Sequence, residues 1–151
     1  MPRITGKSLA GNQVSLPSAT AGSVAILCIG FSHGSQSQVK PWRERATKEF
    51  QEEARVRVYS IAVLEDAPRF VRGMIVRGMK HGVPAQEHKS FLVLYRGEKE
   101  LKQIAGFNHS GEAYILLLGP KGEIEWRRHG PPTDAAFKEL TVRIDSILRS
   151  K

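Results

Sequence analysis

Val24-Ala25-Ile26-Leu27-Cys28-Ile29-Gly30-Phe31-Ser32-His33-Gly34-Ser35-Gln36 passes from a nearly unbroken apolar run into a short turn of glycine, serine and histidine. An apolar run of this length, bordered by Gly22 and Gly30, predicts a strand over 23–31 that is covered on both faces. Beyond the turn, Val39, Trp42, Ala46, Phe50 and Ala54 recur three and four apart. That spacing predicts a helix over 35–54, with Arg43, Arg45, Lys48, Glu49 and Glu52 toward water and Pro41 in its first turns. Strand, polar turn and helix start therefore lie in succession at one end of a sheet.

The flanking sequence extends the pattern. Residues 5–16 carry Gly6, Gly11 and Asn12 around short alternating stretches, which suits a hairpin. Residues 55–63 alternate Val56, Val58, Ser60 and Ala62 against Tyr59 and Ile61, which predicts a second central strand, parallel to the first through a right-handed crossover. Asp66 is placed to cap a helix running to about Lys80, with Phe70, Val71, Met74, Ile75 and Met79 as its apolar members. Arg69, Arg72, Arg77 and Lys80 fall within roughly 140° of one another on that helix and form the most organised basic surface in the chain.

An inserted strand is predicted at 90–95 and a helical turn at 99–104. Residues 113–118 and 123–127 follow as a hairpin through Gly119-Pro120-Lys121-Gly122, and Thr133 caps a last helix with Phe137, Leu140, Ile144, Ile147 and Leu148 on its core stripe. No repeat, linker or low-complexity stretch interrupts this order, so residues 1–151 are expected to form a single domain.

Composition limits the chemistry. Charged residues are 25% of the 151 and hydrophobic ones 40%, enough for a core without staples. The single cysteine, Cys28, excludes an internal disulfide and a cysteine-based zinc site. No stretch approaches the roughly 20 apolar residues needed to cross a bilayer, and residues 1–11 show neither a signal-peptide core nor an amphipathic leader. A formal charge of +8 favours acidic partners: anionic lipid, an acidic protein surface or RNA. Trp126-Arg127-Arg128-His129 interleaves an aromatic with basic groups, as some RNA-binding surfaces do, or marks a sheet edge protected by charge.

The sequence offers two catalytic readings. His33 could act as a base toward Ser35, although no carboxylate lies near it in sequence to orient the ring. Cys28 lies inside the strand, away from the helix start that would lower a thiol's pKa. His81, His88, His109 and His129 match no familiar metal-ligand spacing. No catalytic residue, metal or cofactor is therefore assigned.

The order of hairpin, strand, helix, strand, helix, inserted strand, antiparallel hairpin and helix resembles the thioredoxin-like plan. That plan is a three-layer α/β fold with a central mixed sheet and helices on both faces. Laid on the redoxin pattern, His33-Gly34-Ser35-Gln36 stands at the Cys-x-x-Cys position with Pro41 in register. No proline occurs between Pro84 and Pro120, so residues 111–113 fill the place of the redoxin cis-proline.

With both marks absent, the chain resembles the mitochondrial ATP synthase assembly factor family of the ATP-ten type. The resemblance is carried by Phe31 with Gln38 and Trp42, by His88-Lys89-Ser90-Phe91-Leu92-Val93-Leu94, and by Gly106-Phe107-Asn108. Ala113-Tyr114-Ile115-Leu116-Leu117-Leu118 and Gly122-Glu123-Ile124-Glu125-Trp126 followed by Gly130 and Thr133 complete it. The family pattern has an aspartate near Gly119 and a glycine near Ala113, where this chain differs.

The resemblance implies a non-catalytic, chaperone-type assembly factor for a membrane subunit of ATP synthase, at the matrix side of the mitochondrial inner membrane. Its partner would be a protein client or larger assembly, bound through an exposed apolar patch that Trp42, Phe107 and Tyr114 could supply. The basic helix face of Arg69, Arg72, Arg77 and Lys80 would meet an anionic lipid surface or, less favoured, nucleic acid. Two alternatives stay open at this point: a structural subunit of a mitochondrial or ribonucleoprotein complex held by that basic face, and a redoxin-like thiol enzyme using Cys28.

Overall fold

The apolar run forms β3 (Val24–Gly30), buried at every position, at the heart of a sheet in a computed structural model that describes residues 1–150. Its neighbours are β4 (Val56–Val63), parallel through the crossover helix α1 (Gln36–Glu49), and β6 (Ala113–Leu118), antiparallel. A second crossover, α2 (Arg69–Gly82), delivers β5 (Phe91–Leu94) parallel to β4. The hairpin of β1 (Ile4–Ser8) and β2 (Gln13–Leu16) extends one edge through β1 and β5, and β7 (Ile124–His129) closes the other beside β6. The order is β2-β1-β5-β4-β3-β6-β7.

Strand alternation divides the core between the two faces. Leu27, Ile29, Tyr59, Ile61, Leu92, Leu94, Tyr114 and Leu116 pack with Leu101 and Ala105 of α3 (Glu98–Ala105). On the opposite face Ile26, Cys28 and Ile115 pack with Val39, Trp42 and Ala46 of α1 and with Phe137, Leu140 and Ile144 of α4 (Asp134–Arg149). Val76 and Met79 of α2 pack on that same face, against Ala62, Phe91 and Val93. Both crossovers advance the same way along the sheet, and right-handed connections then put α1 and α2 on one side. Helices on both faces of a mixed sheet make the expected thioredoxin-like α/β fold.

Several local expectations change. Helix α1 ends at Glu49, leaving Ala54 exposed beyond it. Arg43, expected in water, is buried. Its Nε lies 3.2 Å from Glu87 Oε1, and its guanidinium carbon lies 5.6 Å from the centre of the Phe91 ring. Glu87 belongs to the 3-10 segment Ala85–Ser90, and pairing is what makes a buried guanidinium tolerable.

Asp66 does not cap α2. Residues before proline favour extended backbone, and the helix begins only after Pro68, which carries no side-chain cap. Thr133 does cap α4, its Oγ1 accepting from the Ala136 amide at 3.2 Å. Helix α2 has no buried residue, and two of its apolar members, Phe70 and Met74, face solvent.

Candidate binding site at the turn after β3

Gly30 lets the turn fold back over the strand tip: a Cβ there would stand 2.5 Å from Ser35 Oγ and 3.0 Å from Gln36 Nε2. The turn is then held by serine hydroxyls. The Ser35 amide donates to Ser32 Oγ at 3.2 Å, Ser35 Oγ donates to Ser32 O at 2.6 Å, and the Gln36 amide donates to His33 O at 3.2 Å. Ser35 is buried, whereas His33 and Gly34 remain exposed. The buried Ser35 hydroxyl is turned to the backbone, so the structure gives it no bond to the His33 ring. A nucleophile needs such a bond to its base.

The loop that fills the cis-proline place is docked against this turn. Ser32 Oγ donates to Ser110 O, and the Ala113 amide donates to Gln38 Oε1 at 3.0 Å. Tyr114 holds the same loop from beneath: its hydroxyl accepts from the amides of Asn108 at 2.7 Å and His109 at 2.8 Å. Asn108, His109 and Ser110 are exposed, so two loops bearing His33, Gly34 and residues 108–110 form one rim at the end of β3 and β6.

Beside the rim lies a cleft of 420 Å³ walled by Phe31, Leu64, Ile75 and Met79 with His33 and Glu98 at its edges. Burial pushes the Glu98 carboxyl up; Lys102 opposes the shift, and Asp66, hydrogen-bonded beside it, adds to it. A larger, shallower depression of 1000 Å³ lies away from the turn, between the start of β1 and residues 95–100.

The expected site residues divide. His33, Gly34, Ser35 and Gln36 do come together in the turn. Trp42 and Tyr114, expected to contribute to an exposed patch, are fully buried. Trp42 Nε1 donates to Gly130 O at 2.8 Å, and Tyr114 is clamped as above, because indole and phenol groups taken into a core find polar partners. Phe107 is half-buried, its ring centre 5.1 Å from Phe31 and 5.6 Å from Tyr114, with Lys102 Nζ 4.4 Å above it. Arg69, Arg77 and Lys80 are exposed on α2. Arg72 is turned aside, donating to Ala67 O at 2.9 Å and Glu65 O at 3.1 Å and stacking 4.9 Å from the Tyr95 ring centre.

Gln38, Ser32 and Ser110, which join the two loops, escaped the sequence reading as a set. Gln38 stands in one of the motifs that carry the resemblance, but its contact with Ala113, 75 residues away, has no local pattern.

The other candidates are spent within the fold. Cys28 is buried, and loss of hydration pushes its thiol up to about 12, with Arg43 opposing. It is therefore no nucleophile at the helix start. Arg127 donates to Ile104 O at 2.8 Å, Arg128 meets Glu139 at 2.7 Å and His129 meets Glu112 at 2.9 Å, which uses the basic groups beside Trp126 internally. His88 Nε2 lies 2.8 Å from Val83 O, and the described residues hold no cluster of three His, Cys, Asp or Glu. No described helix is long and apolar enough to cross a membrane.

Solved structures share the architecture at low identity. The thioredoxin domain of a thiol-disulfide oxidoreductase from Bacteroides vulgatus matches with 19% identity over 95% of this chain and 94% of that one, TM-score 0.62. The exposed lipoprotein thioredoxin Etrx1 of Streptococcus pneumoniae matches with 14% identity over 92% and 97%, TM-score 0.62. StoA from Bacillus subtilis matches with 19% over 93% and 96%, TM-score 0.61. At these identities the likeness establishes the thioredoxin-like fold. No curated protein matches the chain. The family model described as ATP10 protein matches residues 1–146, and a chain with one cysteine cannot carry the paired motif of the redox-active folds. The chain therefore belongs to the ATP10 protein family.

Proposed function

We propose that this protein is a non-catalytic assembly factor of ATP synthase, binding a membrane-embedded subunit or a partly assembled complex at the matrix side of the mitochondrial inner membrane. The observation that carries the reading is the coincidence of family and site. A chain of the ATP10 family keeps the two-loop rim of a thioredoxin-like fold but has imidazole, amide and hydroxyl groups where a redoxin has thiols. Thiol exchange runs through a thiolate and a mixed disulfide, so a rim without sulfur supports holding a chain rather than reducing it. His33, Gly34 and residues 108–110 offer polar groups and open backbone at the rim, and the half-buried Phe107, braced edge-on against the buried Phe31, offers a partly open aromatic face that an apolar client segment can cover.

The test is complementation in a cell lacking the native gene, with assembled ATP synthase read on native gels. Wild type and Cys28→Ala restore assembly, whereas His33→Glu combined with Asn108→Glu, at two exposed rim side chains, lowers it while leaving the melting temperature unchanged. Failure of Cys28→Ala at normal protein levels, or assembly untouched by the rim variant, overturns the proposal.

A further inference from the structure

We infer that the outward face of α2 docks this protein on an anionic phospholipid surface, Phe70 and Met74 entering the acyl-chain boundary while Arg69, Arg77, Lys80 and Lys7 hold headgroup phosphates. The inference rests on α2 and its surroundings alone and is independent of the rim. Phe70 is 86% exposed and Met74 68%, on a helix whose inward side is only half-buried. Scattered surface apolar residues are ordinary, but these two sit one turn apart on the same face. At about 100° per residue, Phe70 projects within roughly 40° of Arg77, His81 and Met74, with Arg69 and Lys80 on the flank.

The charge around them has one sign. No aspartate or glutamate occurs from residue 67 to residue 86. The nearest preceding carboxylates are turned elsewhere: Glu65 Oε1 accepts from the Glu98 amide at 2.9 Å, and Asp66 lies with Glu98 in the lining of the cleft beside the rim. A groove of 390 Å³ runs beside the helix between α2 and β1, with Lys7, Arg77 and Lys80 around it, Gly73 leaving its wall open and Tyr95 at its floor.

A cationic groove next to two solvated apolar tips complements a plane of phosphates lying over hydrocarbon. Long basic side chains reach up to the phosphates while the tips enter below them, the arrangement of helices that lie in a membrane interface. A protein partner would instead have to offer a compact acidic ring around an apolar pocket.

The experiment is co-sedimentation of the full chain with vesicles of phosphatidylcholine alone or mixed with phosphatidylglycerol, across a salt series. Wild type partitions onto the anionic vesicles only, and salt weakens it. Phe70→Ser with Met74→Ser keeps every charge and lowers the partition coefficient by about tenfold or more. Arg69→Gln, Arg77→Gln and Lys80→Gln together keep the apolar tips and lower it by about a hundredfold, at about fivefold per basic residue. All five positions are solvent-facing, so far-UV spectra and melting temperatures stay at the wild-type values.

Wild type remaining in the supernatant with anionic vesicles at low salt overturns the inference. So does binding that the serine variant leaves unchanged, since bare net charge would then account for it. Self-association that the serine variant abolishes, without vesicle binding, also overturns it and assigns the face to a second copy.

Discussion

Cys28 offers the sharpest quantitative test of whether this thioredoxin-like chain can exchange thiols. Its thiol is pushed from the ordinary 9.0 to about 12 by burial inside β3. At pH 8 a thiol of ordinary pKa is about one-tenth thiolate, whereas this one is about one part in ten thousand. It is also sealed from solvent, so a reagent such as dithionitrobenzoate reaches it only when the sheet opens. For a domain stable by about 5 kcal/mol, that opening lowers the labelling rate by roughly five thousandfold relative to the unfolded chain. Labelling should therefore be negligible in buffer over minutes and immediate in guanidinium.

A second arm follows from linkage. The folded state holds its thiol proton to about pH 12 while the unfolded chain releases it near 9.0, so the folded state binds more protons in between. Stability from the neutral buried thiol is thus fully present below pH 9.0 and is lost as pH rises toward 12. At about 1.4 kcal/mol per unit, wild type should lose about 4 kcal/mol relative to Cys28→Ala across that window, measured by denaturant titration at each pH. Rapid stoichiometric labelling of native protein, or a difference that stays flat to pH 12, would refute the reasoning.

Three further outcomes are expected. Tyr114→Phe strands the amides of Asn108 and His109; it should cost about 2–3 kcal/mol in thermal or chemical unfolding and speed hydrogen exchange across residues 106–112, and unchanged exchange there would contradict the clamp. Trp42→Phe removes the 2.8 Å bond to Gly130 O inside the core and should cost about 1–3 kcal/mol, read as a lower denaturation midpoint with an unchanged slope. Arg43→Met or Glu87→Leu alone should cost about 2–3 kcal/mol, because each leaves a largely buried charge unpaired, whereas the double variant should recover most of the loss; strictly additive effects would show that the two do not interact.

The architecture was legible because most elements declare themselves through local period and burial. The continuous apolar run of β3, the alternation in β4 and the stripe of Phe137, Leu140 and Ile144 in α4 each have one partner arrangement that removes them from water. Absence of the redox pair was equally plain, since a missing residue type needs no coordinates. The site was less legible for a physical reason. Whether Trp42 or Tyr114 is a surface anchor or a core ring depends on a backbone carbonyl or amide brought from a distant part of the chain, Gly130 for one and residues 108–109 for the other.

Helix α2 shows the same division most clearly. Its sequence alone determined that a helix would form there and that it would be basic, because spacing and charge are properties of the chain. Only tertiary structure decided that Phe70 and Met74 stay in water, that Arg72 turns back onto Tyr95, and that Arg43 on α1 goes inside to meet Glu87. Burial is set by what packs over a face, and an apolar or charged side chain has no local means of specifying which neighbour will arrive.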